Sequence, residues 1–304
     1  MIDFSVLLLS YNASEEQIER TVVSILEQKG VSFEIIVCDD CSKNNHFNYI
    51  ESLFEQFNYT EYRLLGTEKN LGTVKNILRG LEIAKGKYAK LIGMGDLLYH
   101  ESTLKEVYDF MEKNQTQSCF GLIEGYRIKN GEVYPVTHTS PMDIQVYKEA
   151  NKSKIIKNIL LAEDWVSGVC IFATTEYYYK YISLMRDRVI YCEDWATALA
   201  LIDDEFLLLL DKYVVKYEVG DGVSTTPNPA WRAKLLEDNK QFWILFSEYA
   251  QKKSVVKYDK YLRALKRKKG FEDIKNPMIQ FFMKAITNPY LIVFWIKVMI
   301  NKRK

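Results

Sequence analysis

Four short clusters carry groups able to hold or transform a ligand: Ser10-Tyr11-Asn12, Asp39-Asp40, Asp96 and Glu193-Asp194. A tyrosine ring offers a flat face to a nucleobase. An ionised aspartate only accepts hydrogen bonds, so it reads an N–H donor. A further carboxylate can take the proton of an attacking hydroxyl. The first two clusters end the short apolar runs FSVLLLS and FEIIVC, and Asp96 follows a third, KYAKLIGMG. Such runs, separated by segments of helical period, predict parallel strands with crossover helices. In sheets of that kind ligands bind beyond the carboxyl ends of the strands, so the clusters are expected to meet in one cleft. No G-x-G-x-x-G follows the first strand, which disfavours a dehydrogenase.

Local signals fix the elements that position these groups. Ser14 and Gln17 form a capping box for a helix over 16–28. The second strand is expected at 33–38, with a helix over 47–57 after it. A strand at 62–65 precedes a helix from about Thr73 to Ala84, with Gly86 as its C-terminal cap. The strand 88–92 then delivers Gly93-Met94-Gly95-Asp96. Asn130-Gly131 marks a hairpin between 120–128 and 132–137. Residues 139–152 read as a loop, 169–174 as a strand before a Tyr-rich helix, and 206–210 and 214–219 as two further strands. From about Pro229 the pattern is helical. These segments predict an α/β fold whose first half is a mostly parallel sheet and whose second half is mixed. The division falls at residues 1–225, with a helical region over 226–304.

Composition narrows the function classes. A chain of 304 residues, 48% hydrophobic and 27% charged, buries a sizeable core. A net charge of +1 argues against an extended nucleic-acid footprint. The start lacks a basic region followed by a long apolar one, so no signal peptide is read from it. Five cysteines, an odd number, favour a reducing compartment. Cys38 and Cys41 match C-x-x-C, but no second ligand pair accompanies them, and the three histidines add no metal-ligand spacing. In 278–300, Lys284, Asn288, Pro289 and Lys297 interrupt the apolar pattern, too often for a bilayer span of about 20 residues. With Lys266-Arg267-Lys268-Lys269 and the tail Lys302-Arg303-Lys304, this segment reads as an interfacial membrane helix, or alternatively as a helix packed on its own domain or on a homodimer partner.

SVLLLSYN, FEIIVCDDCS, NLGTVKNILRGLEIAKGKY and YCED, in that order, resemble the motifs of family 2 glycosyltransferases with the GT-A (Rossmann-like) fold, over roughly residues 4–225. The resemblance implies an inverting transferase that moves a sugar from a nucleotide-diphosphate donor, a UDP-sugar foremost, to a hydroxyl of a glycan or lipid-linked acceptor. It places the donor nucleotide among Ser10, Tyr11, Asn12, Asp39, Asp40, Asn70, Gly72, Lys75, Asn76, Gly95 and Asp96. Tyr11 would pack on the base and Asp40 accept its N–H. Asp194, beside Glu193, would be the general base, and the pair would also cap the helix 195–202. Trp165 and Gly168 would shape the acceptor pocket, with Trp195 as a sugar-stacking face or a core residue. Gly220–Thr225 would form a mobile lid or a plain turn.

The family's Asp-x-Asp carboxylates fall where Gly93 and Gly95 stand here. Asp96 alone is left to hold Mn²⁺ or Mg²⁺, which keeps water and donor phosphates in its shell and needs few carboxylates. The implied setting is bacterial surface polysaccharide synthesis in the cytoplasm, at the inner face of the cell membrane. The alternatives are a sugar-nucleotide-binding subunit without turnover, suggested by the two glycines, and a nucleotidyltransferase.

Overall fold

A computed structural model describes residues 2–220, 229–253 and 288–301, together with residues 258, 279, 282, 283, 285 and 286. Strands β1 (Phe4–Ser10), β2 (Phe33–Asp39), β3 (Tyr62–Leu65) and β4 (Tyr88–Gly93) lie parallel in the order β3-β2-β1-β4. β1 and β2 are apolar and buried almost throughout, as strands covered on both faces must be. The register pairs Ser10 with Asp39 and Leu9 with Gly93. The loops after these three strands therefore leave one edge of the sheet together.

Helices α1 (Glu15–Leu26), α2 (Phe47–Gln56) and α3 (Thr73–Ile83) make the crossovers. The Ser14–Gln17 capping box is present, and α1 buries Ile18, Val22 and Ile25. The α1 face also carries Thr21 and Ser24, whose hydroxyls accept the N–H groups of Gly95 and Leu98 at 2.8 and 3.2 Å. One helix thus fixes the segment that bears Asp96.

The second half is mixed, as expected. β5 (Leu97–Leu98) and α4 (Thr103–Asn114) lead to a hairpin of β6 (Ser118–Lys129) and β7 (Glu132–Val136). Asn130 and Gly131 both have positive φ, as a two-residue turn of this kind requires. Short helices α5 (Gln145–Lys148) and α6 (Lys152–Lys157) follow. β8 (Ile171–Thr174) runs antiparallel between β4 and β6, α7 is Thr175–Met185, α8 is Ala196–Ile202, and β9 (Leu208–Glu218) pairs with β6.

Four local expectations are corrected. Gly86 is not a left-handed cap: the cap is Ala84, and Gly86 is small because a Cβ there would lie 2.3 Å from the Ser5 nitrogen. The two strands expected at 206–210 and 214–219 are one strand, β9, since pairing with β6 continues across a bulge. The 139–152 loop contains the turn of helix α5. Glu193 and Asp194 make no side-chain cap on α8, because a 3₁₀ turn over Glu193–Trp195 starts the helix instead.

Beyond 221–228, which lie outside the described residues along with most of the expected Gly220–Thr225 loop, α9 (Pro229–Lys252) packs on α8. Its Phe242, Trp243 and Phe246 are buried in the same core as the sheet. The helix on the far side of the expected 225/226 division thus shares the core of the first 220 residues. A C-terminal helix, Tyr290–Asn301, is held by polar contacts. Lys297 is 2.6 Å from Asp143, the Tyr290 hydroxyl donates to Asn158, and the Asn288 amide donates to the Leu161 carbonyl. No helix among the described residues is long and apolar enough to cross a membrane. The basic run 266–269 lies outside the described residues.

Candidate active site

The carboxyl ends of β1 and β4 open into a cleft of about 390 Å³. Its walls come from both halves of the chain: Leu9, Thr73 and Asp96 on one side; Trp165, Gly168, Tyr191, Glu193, Asp194 and Trp195 on the other. The cleft thus collects Asp96, Trp165, Gly168, Glu193, Asp194 and Trp195 from the expected site.

The other predicted residues sit around it, and most are tied to backbone. Asp39 is buried and accepts the Ser42 N–H and hydroxyl, turning the chain after β2. Ser42 in turn accepts the Asn12 N–H, and Asn12 accepts the Lys43 N–H, so the loops after β1 and β2 are joined. The Ser10 carbonyl accepts the Asp40 N–H. Asp40 gives one carboxylate oxygen to the Leu71 N–H at 2.7 Å and the other to the Gly72 N–H at 2.9 Å. The Asn70 amide donates to the Asp40 carbonyl, and the Asn76 amide to that of Cys38. Asp40 and Asn76 therefore fix the 70–72 loop and the end of β2 without lining the cleft themselves. Lys75 is half exposed beside Asp187, and the Tyr11 ring is 52% exposed, open to a planar ligand.

Gly95 explains why the Asp-x-Asp pattern is broken. Its φ is +102°, and a Cβ there would come within 2.3 Å of a Glu218 carboxylate oxygen. Glu218 is pinned in that place by Arg20 and Gln17. A carboxylate reaching in from β9 thus occupies the space that residue 95 would otherwise fill. At Gly93 the contrast is plain, since a Cβ would meet only an Asp96 oxygen at 3.5 Å, an ordinary contact. Asp96 itself accepts the Glu218 N–H, and burial pushes its carboxyl up to about 7.

The opposite wall holds its ionisable groups in a tight frame. The backbone N–H groups of Gly168, Asp194 and Trp195 act on the Asp194 carboxyl and favour its charged form, against the effect of burial. A side chain at 168 is excluded, because a Cβ would lie 2.4 Å from a Glu193 oxygen. Burial raises both carboxyls well above the ordinary range, and for Glu193 the neighbouring Asp194 charge adds to the effect. Two carboxylates so placed compete for protons near neutral pH, the behaviour of a group that exchanges a proton during a reaction. Trp165 and Trp195 line the cleft with ring centroids 5.5 Å apart, and both pack on Phe242 of α9. Trp195 is therefore a core residue with one edge in the cleft.

Four contributors were not anticipated. Asp238 of α9 accepts the N–H groups of Ile190 and Tyr191, at 3.0 and 2.6 Å, and so sets the loop that ends in Glu193-Asp194. The same loop meets the donor side, where the Ile190 carbonyl accepts the Val74 N–H. Tyr217 and Leu235 add to the cleft wall. Lys90, wholly buried in β4, lies beneath the cleft. Only Lys90 had a sequence signal, a single charge inside an apolar strand run.

As for a cation, no group of three or more His, Cys, Asp or Glu among the described residues is arranged to hold one. Asp96 fits the role only together with donor phosphates and water, which suits Mg²⁺ or Mn²⁺.

A family model for glycosyl transferase family 2 matches residues 5–174. The putative teichuronic acid biosynthesis glycosyltransferase TuaG of Bacillus subtilis is 28% identical over 156 residues, covering 50% of this chain and 58% of TuaG. The UDP-Glc:alpha-D-GlcNAc-diphosphoundecaprenol beta-1,3-glucosyltransferase WfgD of Escherichia coli is 25% identical over 193 residues, 60% of this chain and 70% of that protein. The chain thus spans little more than half of the first relative and about two thirds of the second. In fold it is similar to the crystal structure of S. aureus TarS 1-349 in complex with UDP, with a TM-score of 0.55 at 19% identity, over 80% of this chain and 65% of that one. With its motifs in order and the family model spanning more than half of its length, the chain belongs to glycosyl transferase family 2.

Proposed function

We propose that this protein is an inverting glycosyltransferase. It moves a sugar from a nucleotide-diphosphate donor, UDP-linked foremost, to a hydroxyl of a glycan or lipid-linked acceptor in bacterial surface polysaccharide synthesis. The observation that carries the reading is the cleft itself, which has Asp96 on one wall and Asp194 on the other. The nucleotide would lie along the Tyr11 and Thr73 side, with its base on the exposed Tyr11 ring. Asp40, both of whose oxygens hold the 71–72 backbone, acts through that loop.

Asp194 takes the acceptor proton as the hydroxyl oxygen attacks the anomeric carbon. The bond to the diphosphate breaks on the opposite face, in one displacement with inversion. Trp165 offers the acceptor sugar a ring face. Asp96 would hold a divalent cation with the donor phosphates, and such an ion neutralises the charge of the leaving diphosphate.

Outward from the cleft, the C-terminal helix exposes Ile292, Val293, Ile296, Met299 and Ile300, while the chain continues into Lys302-Arg303-Lys304. Apolar surface next to basic residues suits an anionic bilayer interface, where a lipid-linked acceptor is presented, at the inner face of the cell membrane.

A thermal-shift panel of UDP-, dTDP-, GDP- and CMP-sugars, with and without Mn²⁺, tests the donor. Selective stabilisation by a uridine or thymidine donor supports the reading, and indifference to all four contradicts it. The competing reading, a sugar-nucleotide-binding subunit without turnover, draws on Gly93 and Gly95. Release of nucleoside diphosphate from any donor excludes it.

A further inference from the structure

The C-terminal helix, Tyr290–Asn301, reaches the body of the protein through polar side chains that converge on one place. Its Lys297 ammonium lies 2.9 and 2.6 Å from the two carboxylate oxygens of Asp143, which is buried. The Asn158 amide donates to the same carboxylate at 3.2 Å, and the Tyr290 hydroxyl donates to Asn158. Asn288, just before the helix, donates to the Leu161 carbonyl at 2.8 Å. These contacts all fall on the chain between 143 and 161, shortly before Trp165.

From there hydrogen bonds lead into the cleft. Asp164 accepts the N–H groups of Met142 and Asp143 at 2.6 and 3.1 Å, one on each oxygen. Ser140 donates its hydroxyl to the Trp165 carbonyl at 2.9 Å and accepts the Ser167 N–H at 2.7 Å. The segments 140–143 and 164–167 are therefore fastened at both ends. Trp165, Ser167 and Gly168 line the cleft. The Trp165 ring rests on Trp195, Phe242 and Trp243, so that aromatic cluster supports its side chain while the fastened segments support its backbone. A buried carboxylate that loses its cation is strongly disfavoured where it stands. Without Lys297, Asp143 gains by turning toward water, and its own N–H then leaves Asp164.

We propose that Lys297 is a positioning residue: through Asp143 and Asp164 it sets the backbone of 165–168, the wall on which the acceptor rests. The proposal rests on the reading of that wall as the acceptor side. The same helix exposes Ile292, Val293 and Ile296, the face proposed to meet the bilayer. One element would thus both meet the lipid surface and shape the wall that receives a lipid-linked acceptor.

Hydrogen exchange of the full chain, read by mass spectrometry, tests this without donor or acceptor and stands even if the transferase reading fails. In Lys297→Met, peptides covering 140–146 and 162–168 are expected to exchange about tenfold faster, while those of β1 and β2 keep their rates. Lys297→Arg, which can pair with both Asp143 oxygens, is expected to restore the slow rates. If Lys297→Met does not fold, Lys297→Gln replaces it with the same expectations. Faster exchange confined to 290–301 overturns the proposal, because the helix would then loosen without moving the wall. Faster exchange throughout overturns it too, since that is a general loss of stability. Kinetics supply the second readout, with the donor selected by the thermal-shift panel and octyl glucoside as the acceptor probe. Lys297→Met is expected to raise the acceptor KM about tenfold, with kcat and donor KM within about twofold of wild type. A fall in kcat at unchanged acceptor KM overturns the proposal. Wild-type enzyme inert toward this probe counts against the acceptor reading and leaves Lys297 to the exchange result.

Discussion

The two acidic pairs of the molecule are built on opposite principles. At the end of β2 the acidic residues are consumed by the fold: Asp39 closes a turn and Asp40 satisfies two backbone N–H groups of the 71–72 loop. On the other side Glu193 and Asp194 line open space, their carboxyls raised by burial. The first arrangement yields a rigid rim with one exposed ring, Tyr11. The second leaves carboxylates poised between protonation states. Similar motifs, Asp-Asp and Glu-Asp, thus fix loop geometry at one end and line open space at the other.

Breaking each pair should give opposite signatures. Asp194→Asn is expected to lower turnover by about 10²–10⁴-fold, the usual contribution of a general base, with no loss of melting temperature. Steady-state kinetics beside calorimetry would show whether that split holds. Asp40→Ala, by contrast, leaves two backbone donors without partners and should destabilise the chain by about 2–4 kcal/mol, read by urea unfolding. Asp96 combines the two signatures. Its carboxyl is raised by burial to about 7, so the folded state favours the protonated form, and the group adds stability as pH falls through that value. Asp96→Asn should accordingly raise the melting temperature at pH 8 while lowering turnover, the trade expected of a functional carboxylate.

Smaller effects sharpen the comparison. Gly95→Ala should cost about 1–3 kcal/mol, because φ is +102° and Glu218 fills the space, whereas Gly93→Ala should stay within about 0.5 kcal/mol. Equal effects at both positions would remove the explanation given for the broken Asp-x-Asp pattern. Tyr11→Ala should weaken nucleotide binding by about 1 kcal/mol in a calorimetric titration and leave unfolding unchanged.

The parallel half was legible in the residues because continuous apolar runs and a capping box are local signals. β3 matches its expected bounds, and α1, α2, α3 and β4 lie within one or two residues of theirs. That Glu193 and Asp194 line the cleft beside Asp96 was legible too, in the YCED motif. What escaped was set by tertiary contact. Nothing near Asp238 in sequence signals that it reaches across to Ile190 and Tyr191. Gly95 gives no hint that Glu218, 123 positions on, fills its side-chain space. The two expected strands 206–210 and 214–219 merged because β6 pairs with both, which no local pattern reveals.

The account depends most on a single displacement driven by Asp194. Proton NMR of the sugar released when the preferred donor is hydrolysed, recorded before the anomers equilibrate, tests that step directly. The first-formed anomer should have the configuration opposite to that of the donor, and Asp194→Asn should abolish its appearance. A first product of retained configuration would contradict the assignment of Asp194 as the base.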